Sequence, residues 1–214
     1  MTFLYYVEVA IAKLILRLFT RRVVRGVENV PPEGPIIVVS NHLNLADPPL
    51  LAASIPRRIV FMAKEESFRH PLQGPVVRGF GAFPVRRGQL DRRALRSALR
   101  VLDEGLALGM FPEGRRSQSA QLQPGRSGTA LVALRSGTPI LPIGVTGTEG
   151  ILGPALLFGR RRITVNIGQP FTLPPVDGRL TKAELTSAMY VIMGRVAELL
   201  PQEYRGHYAD REGS

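Results

Sequence analysis

The sequence contains no cysteine. Disulfide bonds, thiolate metal sites and a cysteine nucleophile are therefore excluded from this chain. Any covalent or proton-transfer chemistry has to rely on imidazole, hydroxyl, carboxylate or basic side chains.

Long uncharged runs are also absent. No charge-free stretch reaches the roughly 18 residues that a membrane-spanning helix requires, and this excludes a simple polytopic membrane protein. With 214 residues, of which 44% are hydrophobic, the chain has the size and composition of one globular domain.

Lysine and acidic residues are scarce. The chain has 28 basic and 17 acidic side chains, which gives a net charge of +11, and only Lys13, Lys64 and Lys182 are lysines. Arginine forms planar, bidentate contacts with phosphate and carboxylate groups. The excess indicates either an anionic partner or a compositional bias toward arginine, and composition alone leaves both open.

The segment from Thr2 to Phe19 is the most apolar part of the chain. As a helix it is about 25 Å long, which is shorter than the roughly 30 Å hydrocarbon core of a bilayer. It carries charges at Glu8, Lys13 and Arg17 and lacks the flanks of a secretion signal. We predict an amphipathic helix in a membrane interface over residues 1–26; packing on the protein core is the alternative.

Short apolar runs alternate with helical patterns from residue 31 onward. The alternation predicts an α/β fold with a sheet covered by helices on both faces. We assign residues 27–200 to this domain and residues 201–214 to a flexible tail. The predicted strands are 36–40, 59–63, 82–85, 107–111, 140–145 and 162–168, and the predicted helices are 91–104, 127–135 and 181–200.

His42 directly follows a predicted strand, and Asp47 lies five positions later. Open α/β sheets bind their ligands where strands end. A helical turn that starts near Asp47 would return its carboxylate to the imidazole, and such a pair forms a general base. A purely structural role for His42 is the alternative at this point.

No protein nucleophile accompanies this pair. The sequence lacks a G-x-S-x-G elbow, and it also lacks the common metal-binding and phosphate-loop motifs. We therefore expect no metal and no cofactor, and a substrate that supplies its own nucleophile, such as a hydroxyl group.

Two further strand ends carry arginines in tight turns. The first turn holds Arg86 and Arg87, and the second holds Glu113, Gly114, Arg115 and Arg116. Arginines from two strand ends can bind one phosphate in a bidentate manner, whereas each turn alone is more typical of solvated surface charge.

Four segments together resemble the glycerolipid acyltransferases, specifically the bacterial lysophosphatidic acid acyltransferase (PlsC-like) group. NHLNLAD is similar to the N-H-x-x-x-x-D block of that family, and GAFPVRR, FPEGRRS and TPILPIGV are similar to its next three blocks, in order. The resemblance covers roughly residues 27–168. It implies a single domain with a mixed, mostly parallel sheet.

The resemblance also implies roles for individual residues. His42 would act as the base and Asp47 would orient it, while Asn41 or backbone N–H groups around Gly114 would stabilise the oxyanion. Arg87 and Arg116 would bind the acceptor phosphate, with Glu113 ordering the arginines or an acceptor hydroxyl. The sequence departs from the family pattern at Arg86 and Arg115, which both add positive charge.

The implied reaction moves a fatty acyl group from acyl-CoA or acyl carrier protein to the sn-2 hydroxyl of lysophosphatidic acid. Acylation of another lyso-lipid or of glycerol 3-phosphate is the alternative within this class. The expected location is the cytoplasmic face of the cell membrane, against an anionic surface. The rival class is a basic module that binds nucleic acid or membrane without catalysis; we expect no nucleic-acid partner, because the chain has no tryptophan and no recognition motif.

Overall fold

A seven-stranded sheet runs through the centre of the protein in the computed structural model, which describes residues 2–86, 91–149, 151, 161–176 and 178–209. The strands lie side by side in the order β1-β7-β6-β2-β5-β3-β4. Their bounds are β1 Thr20–Arg25, β2 Ile36–Ser40, β3 Ile59–Lys64, β4 Phe83–Val85, β5 Ala107–Met110, β6 Ile140–Thr146 and β7 Arg161–Ile167.

Neighbouring strands are parallel except for β6 and β7, which pair in antiparallel orientation. All five residues of the central strand β2 are buried. A continuous apolar strand is typical of a parallel sheet that is covered on both faces. The structure thus confirms the predicted α/β fold with a mixed, mostly parallel sheet.

The helices form a layer on each face of the sheet. Alternate residues of β2 point to opposite layers, so that Ile36 and Val38 pack with α1 and α2, while Ile37 and Val39 pack with α4, α5 and α6. The helix bounds are α1 Thr2–Phe19, α2 Asp47–Ser54, α3 Gln73–Gly79, α4 Arg92–Asp103, α5 Gly128–Ser136 and α6 Lys182–Glu198.

Two of the predicted helices begin with side-chain caps. The Asp91 carboxylate accepts hydrogen bonds from the backbone N–H groups of Arg93 and Ala94. Thr181 and Glu184 form a reciprocal capping box at the start of α6. Both caps satisfy N–H groups that a helix leaves without partners in its first turn.

The apolar segment Thr2–Phe19 forms the predicted helix, but the predicted N-terminal unit of residues 1–26 is not helical to its end. The helix ends at Phe19, and residues 20–25 form β1, which pairs in parallel with β7 at one edge of the sheet. The β-branched residues Val23 and Val24 favour a strand here. The surrounding arginines obscured this signal, because they produce no alternation of apolar and polar residues.

One face of α1 packs against the core through Tyr5, Val9 and Leu16. The remaining apolar side chains of α1 stay exposed; Phe3 is 83% and Leu14 is 58% exposed. One face of α1 therefore packs on the core, while a second, apolar face is exposed. Among the described residues, no helix has both the length and the hydropathy needed to cross a membrane.

The predicted flexible tail is wrong for residues 201–209. This segment forms two short 3-10 helices, Gln202–Tyr204 and Gly206–Tyr208. Tyr208 is only 4% exposed, and its hydroxyl accepts a hydrogen bond from the backbone N–H of Gly125 at 3.1 Å. The tyrosines anchor the segment on the α6 layer, and residues 210–214 lie outside the described part.

Candidate active site

His42 and Glu113 lie on adjacent loops at one edge of the sheet. Strands β2 and β5 are parallel neighbours, so their carboxyl ends meet, and each end is followed directly by one of these loops. This edge is where parallel α/β sheets bind ligands.

The His42 and Asp47 side chains form the pair that the spacing predicts. Nδ1 of His42 lies 2.8 Å from Oδ2 of Asp47, and both residues are buried. The same oxygen accepts hydrogen bonds from the backbone N–H groups of Leu43 and Asn44, each at 2.7 Å. Asp47 opens α2, where the following Pro48 is tolerated because first-turn N–H groups need no helical partner.

The backbone and the ring of His42 make three further contacts. Its backbone N–H donates to Oε1 of Glu113 at 3.0 Å, and its carbonyl accepts from the Ser117 N–H at 2.7 Å. Its ring stacks on Phe111 with the centroids 4.3 Å apart. Nδ1–H faces the carboxylate, which leaves Nε2 as the basic nitrogen; Nε2 makes no hydrogen bond with any described residue.

Glu113 contacts the backbone and makes no hydrogen bond with a described arginine. Besides the bond to His42, its Oε2 accepts from the Gln123 N–H at 3.2 Å, and the residue is 2% exposed. Burial raises the pKa of this carboxyl to about 7, although the two N–H donors oppose that shift. Glu113 therefore ties the two site loops together.

The Asn41 side chain is held within the sheet. Its amide donates to the Val145 carbonyl and accepts from the Val145 N–H, both at 2.8 Å. The Gly114 N–H is likewise engaged, with the Phe111 carbonyl at 3.0 Å. The Gly114 N–H is therefore not available to an oxyanion in this conformation, and the Asn41 amide is fixed against Val145. The N–H groups of Arg115 and Arg116 make no hydrogen bond with described residues.

Two cavities meet at Phe111 and Met62, which line both of them. The first, here named the apolar cavity, has a volume of about 270 Å³ and contains the His42 ring. Its other walls are mainly apolar side chains of β3, α2, α3 and the loops next to them, including Leu45, Pro48, Phe61, Leu72, Val76, Val77 and Ala82.

The second, named the charged cavity, has a volume of about 420 Å³. It is lined by Arg86, Asp91 and Arg126, together with the first residues of α5 and apolar side chains of α4 and β5. The positive end of a helix dipole faces this space, since α5 begins at Gly128. The two cavities thus differ in charge and share a wall next to His42.

The structure distributes the predicted arginines unevenly. Arg86 lines the charged cavity, where its Nε is paired with Glu65 at 2.7 Å. Nε of Arg115 donates to the Gln123 amide oxygen at 2.6 Å, and Arg116 is exposed; neither lines either cavity. Arg87 lies outside the described residues.

Sequence reasoning missed two residues of this site. Phe111 supports the His42 ring, and its position directly before Pro112 and Glu113 is the available signal. Arg126 lines the charged cavity from the loop before α5. No local sequence pattern identifies Arg126, because it contacts the Gly114 turn from twelve positions further along the chain.

Comparison with known proteins places the site in a family. A family model described as Acyltransferase matches residues 21–146. The chain belongs to the acyltransferase family. The matched range contains His42, Asp47 and Glu113 and the residues that line both cavities. Among the described residues, no cluster of three or more histidine, aspartate or glutamate side chains is arranged to hold a metal ion.

Similar proteins carry one recurring name. The chain is 29% identical to the 1-acyl-sn-glycerol-3-phosphate acyltransferase of Borreliella burgdorferi over 64% of this chain and 55% of that one. It is 26% identical to the Bacillus subtilis protein of the same name over 87% and 92%, respectively. The chain spans about half the length of the first curated relatives that it matches.

A solved structure has the same fold. The 1-acyl-sn-glycerophosphate (LPA) acyltransferase PlsC from Thermotoga maritima matches with a TM-score of 0.66 and 28% identity. The match covers 89% of this chain and 79% of that one. The predicted resemblance to the PlsC-like group is thereby confirmed.

Proposed function

We propose that the protein transfers a fatty acyl group from a thioester donor, acyl-CoA or acyl carrier protein, to the sn-2 hydroxyl of lysophosphatidic acid, which gives phosphatidic acid. The observation that carries this proposal is the buried His42–Asp47 pair, whose Nε2 is free at a cavity wall. The names of the relatives support the choice of acceptor.

His42 acts as the general base in this proposal. Nε2 removes the proton of the acceptor hydroxyl while its oxygen attacks the thioester carbonyl carbon. The C–S bond then breaks, and the imidazolium returns the proton to the leaving thiolate. The Asp47 carboxylate balances the imidazolium charge and holds the ring through Nδ1.

No protein nucleophile is needed, since the acceptor hydroxyl itself attacks the thioester. The chain contains no cysteine, and a direct transfer forms no acyl-enzyme. The N–H groups of Arg115 and Arg116 are the donors next to the Gly114 turn that remain available for the oxyanion.

The two cavities sort the substrate groups by polarity. Moving one methylene of an acyl chain out of water is favourable by about 0.8 kcal/mol. The apolar cavity therefore suits the acyl chain. The charged cavity suits the phosphorylated glycerol. Both groups must reach His42 together, and the cavities meet at Phe111, on which the His42 ring stacks.

We further propose that the exposed apolar face of α1 docks the protein on a membrane surface. Phe3, Ile11, Leu14 and Leu18 are each more than half exposed. The helix α1 packs against α3, where the exposed Leu72 and Val76 line the apolar cavity. The acyl chain of a substrate would reach the cavity directly from such a surface, and the exposed Lys13 favours anionic headgroups.

Vesicle binding tests this membrane role. We expect Leu18→Glu to weaken binding to anionic vesicles about tenfold or more, because burying a leucine in an apolar phase is worth about 1.5–3 kcal/mol. Tyr190→Glu is the matched control, since Tyr190 is 46% exposed on α6, on the opposite face of the sheet. Equal binding of the two variants would contradict the proposed surface.

A profile across acceptors tests the reaction itself. Thiol release from a long-chain acyl-CoA or acyl carrier protein should depend on lysophosphatidic acid. Glycerol 3-phosphate and lyso-lipids without a phosphomonoester should support slower release. If one of those acceptors supports faster release, that acceptor is the substrate and lysophosphatidic acid is not.

A further inference from the structure

Arg126 is fixed beside the active-site turn. Its backbone N–H donates to the Pro112 carbonyl at 2.8 Å, and its side chain crosses directly over Gly114. A Cβ atom at Gly114 would lie 2.8 Å from Cδ of Arg126. Gly114 also has a φ of +67°, which favours glycine. The turn thus leaves room for the Arg126 side chain to enter the charged cavity.

The Arg126 charge is available, unlike the charges of Arg86 and Arg115. Its guanidinium makes no hydrogen bond or ion pair with any residue in the described ranges, although it lines the charged cavity. Arg86 is paired with Glu65, and Arg115 is bonded to Gln123.

The Asp91 carboxylate, which also lines this cavity, forms no ion pair with Arg126. The Asp91 oxygens accept hydrogen bonds from three backbone N–H groups, those of Arg86, Arg93 and Ala94. These donors hold the pKa of Asp91 below its usual value, so the carboxylate stays ionised, and its Oδ1 caps the start of α4. The cavity therefore keeps an unpaired positive charge next to a helix N-terminus.

We infer that Arg126 binds the phosphate group of the lipid acceptor, an inference that rests on the proposed function. In lysophosphatidic acid the phosphate is attached to the carbon next to the one that bears the reacting hydroxyl. The phosphate must therefore bind close to His42, and the charged cavity shares the Phe111 wall with it. A guanidinium matches the geometry of phosphate oxygens.

The acyl donor offers phosphates as well, so the two substrates have to be varied separately. In Arg126→Ala we expect the KM for lysophosphatidic acid to rise about 10- to 100-fold, the range for a lost charge-assisted hydrogen bond. The KM for acyl-CoA and the kcat should stay within about threefold of the wild-type values. Arg126→Lys keeps the positive charge and loses the two-pronged geometry of the guanidinium. Its KM for lysophosphatidic acid should lie between those of the wild-type protein and Arg126→Ala.

Arg135→Ala is the matched control, because it removes one exposed arginine from the last turn of α5, the helix that follows Arg126. Its kinetic constants should equal those of the wild-type protein. Glycerol 3-phosphate should compete with lysophosphatidic acid in the wild-type protein and much more weakly in Arg126→Ala.

Three results would overturn the inference. An unchanged KM for lysophosphatidic acid in Arg126→Ala would remove Arg126 from the phosphate site. A rise confined to the KM for acyl-CoA would assign Arg126 to the donor. A wild-type protein that is active only on acceptors without phosphate would contradict the proposed function and the inference together, a pattern distinct from the first two.

Discussion

The apolar cavity and the charged cavity lie on either side of Phe111, yet they are built in different ways. The apolar cavity is formed by β3, α2 and α3 and leads to exposed apolar residues near α1. The charged cavity is formed by the starts of α4 and α5 and by arginines. The difference shows how one histidine at their junction can receive a lipid chain and a phosphorylated group in a single geometry.

Substitution of His42, where the two cavities meet, should reduce activity more than any other change. His42→Ala removes the proposed base that both cavities serve, and we predict at least a 10³-fold loss of acyl transfer, at the order of magnitude that general-base catalysis contributes. Thermal unfolding should remain cooperative. His207→Ala, which removes an exposed histidine in the C-terminal 3-10 helix, is the control and should keep the wild-type rate. Near-normal turnover in His42→Ala would contradict the mechanism.

Asp47→Asn removes the negative charge beside His42 and keeps the shape of the side chain. Oδ1 of Asp47 is buried without a partner among the described residues, so the amide NH₂ can take its place while the amide oxygen keeps the three N–H donors of Oδ2. We predict that kcat falls on the order of 10²-fold, because the imidazolium loses its counter-charge. Unchanged kcat would show that Asp47 only shapes the loop.

A bulkier wall should affect each cavity differently. Val77→Phe narrows the apolar cavity, so we expect the preferred donor to become shorter by a few carbons and the rate with the longest chains to fall about tenfold. Leu131→Phe is the matched substitution in the charged cavity and should raise the KM for the acceptor without changing chain preference. The same response in both variants would contradict the division of roles.

Glu113 supplies a smaller, pH-dependent test. Its folded-state pKa of about 7 exceeds the ordinary value of 4.5, so the folded state binds the proton more tightly. Stability from this group is full below pH 4.5 and is lost as the pH rises through 7, by about 3 kcal/mol in total.

Glu113→Gln should therefore flatten the fall in Tm between pH 5 and pH 7.5. Thermal unfolding across this range measures the change, with Glu28→Gln, an exposed site, as the control. If the two variants show the same pH slope, Glu113 is not the group responsible.

Local sequence patterns predicted much of this molecule. The buried strands, the caps at Asp91 and Thr181, and the His42–Asp47 pair are encoded within a few residues of one another. Their chemistry was accessible because each depends on a short spacing along a helix or a turn.

The remaining features depend on distant contacts. Asn41 bonds to Val145 across 104 positions, and this fixes its amide in the sheet instead of at an oxyanion. Strand β1 is defined by its pairing with β7, at the other end of the sequence. Arg126 enters the site only because the chain turns at Gly114. None of these relations produces a local period or motif.

Thiol release from a long-chain thioester donor tests the central claim most directly. The donor is supplied as acyl-CoA and as acyl carrier protein, each with and without lysophosphatidic acid. The account predicts rapid release with the wild-type protein only when the acceptor is present, with formation of phosphatidic acid in equal amount and loss of both in His42→Ala. Release that does not depend on any acceptor hydroxyl, or no release with either donor, would contradict it.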